Sequence, residues 1–107
     1  FIKTEKAFEA FENSLNVDPK AYLSLYQIGK TSVLSKTRLD LGLASFNEYL
    51  QHEQTSPNPG HDAAYWRMGM IHEIKQDFAE AKTCYEKALI LVPGSEKYQL
   101  ALQSLNK

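Results

Sequence analysis

His52, His61 and His72, the lone Cys84, and the neighbouring pair Trp66 and Arg67 are the side chains in this sequence with most chemistry to offer. Three histidines raise the question of a metal. A helical ligand pair needs i, i+4 spacing, and no two of these histidines have it. His72 is better read as filling a packing slot, and His52 and His61 as surface residues beside a loop. Cys84 has no second cysteine with which to form a disulfide or a thiolate cluster. No base or glycine-rich elbow accompanies it, so a nucleophile has no support either. On a helix it behaves as a small hydrophobe, and it fits a reducing, cytoplasmic setting. Glu5, Glu9 and Glu12 form an acidic stripe of the kind a solvated helix face carries. No catalytic residue, cofactor or metal is expected. Trp66 beside Arg67 differs from all of these, because that pairing is the common makeup of a binding hot spot.

Composition narrows the function classes further. The 107 residues suffice for one domain, and 43% hydrophobic with 23% charged residues is enough apolar material for a packed core. A formal charge of −1 gives no basic excess for a nucleic-acid backbone. The longest apolar run, Ala88 to Pro93, is far too short to span a membrane, so no membrane partner is expected. The chain starts at Phe1 without a charged-then-apolar leader, which reads as a piece of something longer.

Helices have to position these side chains. Proline and glycine punctuate the chain at Asp18-Pro19, at Ser56-Pro57-Asn58-Pro59-Gly60 and at Pro93-Gly94, and between them apolar residues recur at three and four. The spacing predicts a helix over Lys3 to Asn16, then one from Pro19, capped by Asp18, to near Lys36. Others follow over Arg38 to Gln54 and His61 to Lys75. A fifth is capped by Asp77, with Glu80 completing a capping box, carries Phe78 inward and stops at Pro93. A last amphipathic segment closes the chain.

The pattern repeats. Ala7, Phe11, Ser14, Leu15 and Pro19 recur as Ala81, Tyr85, Ala88, Leu89 and Pro93, with a middle copy in Gly42, Phe46, Tyr49 and Leu50. Leu25, Ile28 and Gly29 likewise return as Tyr65, Met68 and Gly69. These residues resemble the tetratricopeptide repeat, a unit of two antiparallel helices. The unit from Asp62 to Pro93 fits nearly throughout, departing at His72. The unit from Tyr22 departs by one inserted residue and by Tyr49 at a usually small site. The small residues Gly29, Gly42, Gly69, Ala81 and Ala88 would let backbones approach, and Phe11, Phe46 and Tyr85 would fill the holes between hairpins.

The resemblance implies an all-α fold, an α-α superhelix of about two and a half hairpins. It divides into a half repeat 1–19, a repeat 20–54, a loop 55–60, a repeat 61–93 and a capping helix 95–106. It also implies a protein–protein interaction scaffold, in which first helices line a concave groove for a peptide. Carried over by position, the groove residues are Tyr26, Gln27 and Lys30, then Trp66, Arg67, Met70 and Glu73, with Leu23 and Ala63 beside them. The terminal-carboxylate clamp of some family members is not expected, since Arg67 alone matches it, with Ala63 and Gln27 at two of its other places. The alternative is an appendage of a larger bacterial enzyme, for example a metallo-β-lactamase-type hydrolase, used for docking or oligomerisation. A homo-oligomer could form through the half repeat, whose missing partner helix should leave an apolar side open.

Overall fold

A computed structural model describes residues 2–53 and 57–106, so residues 54–56 of the expected third helix and loop lie outside it. The helix period is realised as six helices: α1 (Ile2–Val17), α2 (Tyr22–Ser35), α3 (Leu39–Tyr49), α4 (His61–Ile74), α5 (Phe78–Leu91) and α6 (Glu96–Ser104). No strand occurs among the described residues. Each helix packs on the next, and α2 also meets α4 directly, passing over α3. That skip contact makes the molecule an all-α array of stacked hairpins, since helices of equivalent place in successive hairpins become neighbours.

Glycine marks each close approach. A Cβ on Gly29 would clash with the edge of the Phe46 ring, and one on Gly69 with the edge of the Tyr85 ring. A Cβ on Gly42 would come within 2.6 Å of the Ser32 hydroxyl. Phe46 and Tyr85 are fully buried as a result, with Phe8, Ile28 and Ile71 closing the rest of the core. Phe78, expected inward, is 55% exposed. It is the first residue of α5 and stands outside the buried stretch that runs from Ala81 to Ala88.

Several helix ends depart from expectation. Pro19 does not open α2, because the Asp18 carboxylate accepts the Lys20 N–H at 3.0 Å and holds a local turn instead. The helix begins at Tyr22 with no side-chain cap. Asp77 likewise makes no cap hydrogen bond to α5, and its carboxylate lies 4.0 Å from His72 Nδ1. The side-chain cap that does form is Ser95, which accepts the Tyr98 N–H at 3.3 Å and starts α6.

The two loop histidines are half-buried, not on the surface. The ring of His52 stacks on Tyr22 with centroids 3.7 Å apart, and His61 Nε2 lies 2.8 Å from the His52 carbonyl. The Tyr49 hydroxyl donates to the Pro59 carbonyl at 2.5 Å. These bonds close the base of the loop between α3 and α4.

The apolar side of α1 lies against α2, with Phe8 fully buried and Phe11 and Leu15 half-buried. The acidic stripe is not simply solvated: Arg38 binds Glu5 at 2.8 Å and Glu12 at 3.2 Å. Its guanidinium sits 5.0 Å over the Phe8 ring. The half repeat is thus covered by a residue from the next turn of the array.

Candidate functional site

Stacking the hairpins brings α2, α4 and α6 along one side of the molecule. A groove of about 650 Å³ opens between them. Its walls are Val33 and Lys36 from α2, and Trp66, Met70, Glu73 and Ile74 from α4. Lys97, Leu100, Ala101 and Ser104 come from α6, and Tyr85 reaches in from α5. The lining is mainly apolar, which suits the burial of side chains more than the binding of a polar metabolite.

Three of the seven groove residues read from sequence line this space: Trp66, Met70 and Glu73. Tyr26 does not. It is 6% exposed, with its ring against Phe46 and Tyr49, so it belongs to the core, and its hydroxyl accepts from Arg67 Nε at 3.2 Å. Gln27 and Lys30 are half-buried on α2 outside the lining set. The part of α2 that faces the groove comes later, at Val33 and Lys36. Arg67 holds Tyr26 with one edge and lies 5.0 Å over the Trp66 ring. The amphipathic pattern of α6 does not reveal its contribution, which comes from Leu100, 55% exposed and lining the groove.

The walls are fixed by buried hydroxyls. The Tyr85 hydroxyl donates to Glu73 at 2.5 Å, and the Tyr98 hydroxyl donates to Asp62 at 2.6 Å. Burial, reinforced by these hydrogen bonds, pushes both phenols well above their ordinary range. Trp66 is half-buried against Tyr98, with ring centroids 5.9 Å apart. The Lys97 ammonium sits 4.3 Å over the Trp66 ring, an arrangement that holds a cation over an aromatic face.

Burial pushes the Cys84 thiol up to about 11, so it is not a thiolate nucleophile near neutral pH. No three His, Cys, Asp or Glu side chains cluster as metal ligands among the described residues. His72 is half-buried, and its Nδ1 has no hydrogen-bond partner among the described residues.

Residues 62–95 match the model of the tetratricopeptide repeat family. This segment is a tetratricopeptide repeat. The matched repeat is α4 with α5, the hairpin whose residues follow the family pattern most fully. The chain is also similar to human protein O-mannosyl-transferase TMTC1, with 29% identity over 106 residues. The alignment takes in 96% of the chain but 12% of the transferase. The mouse protein of the same name gives 29% over 105 residues, which is 95% of the chain and 11% of the transferase. The chain therefore spans only a small part of either relative.

Proposed function

We propose that this repeat protein is a non-catalytic interaction module that receives a peptide segment of a partner protein between α2, α4 and α6. The observation that carries the reading is the groove itself: apolar, walled by three helices, with Trp66 and Met70 half-open to it. Repeat stacks of this kind use such surfaces to bind proteins. Trp66, with Arg67 stacked on its ring, supplies the aromatic anchor, and Met70 supplies adaptable apolar surface. Replacing Met70 with Glu places a charge on the apolar wall. That variant should keep its helicity by circular dichroism and lose the partner that co-purifies with the wild-type chain. A partner retained at wild-type level by Met70→Glu would count against the groove.

A second reading concerns the parent protein. Both relatives are transferases and match the chain along nearly its whole length. This favours a repeat segment of a longer transferase-like protein over an appendage of a metallo-β-lactamase-type hydrolase. In that setting the module would dock its catalytic neighbour onto a substrate or a second subunit. Among the described residues no helix is long and apolar enough to cross a membrane. Self-association through the half repeat has weaker support, since Phe8 is already covered by Arg38.

A further inference from the structure

The charges around the groove are one-sided. Lys36 at the end of α2 and Lys97 at the start of α6 both line it. Neither has a carboxylate within ion-pair distance among the described residues, where Arg38, Lys75 and His72 take the contacts with acids. Glu73 is the one acidic residue in the lining, and it already accepts the Tyr85 hydroxyl. Arg67 adds a third cation against Trp66. The same lining includes Val33, Trp66, Met70 and Leu100. An apolar lining that carries uncompensated cations complements a ligand with an apolar side chain flanked by carboxylates. Two lining cations are too few for a phosphate backbone, whose binders neutralise many phosphates at once.

We propose that the groove takes an acidic peptide, with an apolar anchor seated among Trp66, Met70 and Leu100 and side-chain carboxylates reaching Lys36 and Lys97. This rests on the groove reading above. Lys97 stays over Trp66 and gains a carboxylate, while Lys36, held at a left-handed backbone position, closes the other end.

Random short peptides displayed on phage test it, selected on the full chain. Two variants serve as comparisons: Lys36→Glu with Lys97→Glu, and Met70→Glu with Leu100→Glu. All four positions are exposed or half-buried, and circular dichroism checks that each variant folds. Enriched peptides should pair an apolar residue with Asp or Glu. Their synthetic forms should bind the charge-reversed chain about tenfold more weakly, a difference that shrinks as salt is raised. Peptides that need Met70 and Leu100 but carry no acid, and ignore the charge reversal, would overturn the acidic ligand and leave the groove standing. A selection yielding no peptide sensitive to Met70→Glu with Leu100→Glu would overturn the groove reading and this proposal with it. Dimerisation that this second variant abolishes would assign the groove to another copy of the chain and overturn the proposal too.

Discussion

Tyr26 and Trp66 occupy equivalent places in two successive repeats, yet one is core and the other lines the groove. The difference lies in what comes next in the stack. Tyr26 is covered by Phe46, Tyr49 and an Arg67 contact from α4, whereas Trp66 meets the short α6 and the Arg67 guanidinium. A repeat pattern states what a residue type can do, and the neighbouring hairpin decides which side of it is wetted, so the assignment of Tyr26 to the groove could not be avoided from one sequence. Glycine was more legible, because close approach of two helices leaves few alternatives. Gly69 shows how rigid the fit is. The Tyr85 ring that a Cβ would strike cannot swing aside, since its hydroxyl is tied to Glu73 at 2.5 Å. Gly69→Ala should therefore destabilise the chain by about 1–3 kcal/mol, despite the better helix propensity of alanine. Urea denaturation measures this, and a stability equal to or above wild type would show that the rings can repack.

Helix existence was readable from the period of three and four, but helix ends were not. Left-handed backbone usually signals glycine, yet here it is adopted by Lys36, Arg38 and Gln76, and no glycine has positive φ. The helical glycines go to packing, so the turns are made by residues that carry a steric cost there of about 1–2 kcal/mol. Arg38 has a compensating return in its hold on Glu5, Glu12 and Phe8. Gln76, at φ 63° after α4, makes no such side-chain contact among the described residues. Gln76→Gly should accordingly raise stability by about 0.5–1 kcal/mol. Gly94 presents the reverse case, a glycine with ordinary φ and open space where a Cβ would go. Gly94→Ala should add about 0.4–1 kcal/mol by restricting the unfolded chain. Both shifts are read as rises in the urea midpoint, and a fall in either would mean that the connection needs freedom its backbone angles do not reveal. Asp18 and Asp77 mislead for a related reason: a short acidic side chain can satisfy a nearby turn or face a histidine as readily as it caps a helix.

At the scale of the whole molecule, the ionisable groups that burial shifts furthest lie on α5 and α6, and this gives the stack a direction of pH sensitivity. Cys84, Tyr85 and Tyr98 are all held in their neutral forms, chiefly by burial. In the unfolded chain Cys84 would release its proton near its ordinary value of 9.0, while the folded chain holds it to about 11. Between those values the unfolded state binds fewer protons, so folding stability falls as pH rises. The stabilisation is complete below pH 9 and is lost as pH passes through the folded value. For Cys84 alone the loss is at most about 2–3 kcal/mol. The two tyrosines have ordinary values of 10.0 and act in the same direction at higher pH. Urea midpoints should therefore be level from about pH 7 to about pH 9 and then drop steeply. In Cys84→Ala the first part of that drop should flatten while the tyrosine-driven part persists. Because each hairpin buries its apolar face only against its neighbours, the loss should propagate as one transition. Trp66 fluorescence, at the junction of α4 and α6, should then coincide with the circular dichroism of all six helices. Stability that stays level beyond about pH 11 would mean that these groups meet water in the folded state and that α5 and α6 pack more loosely than their hydrogen bonds require.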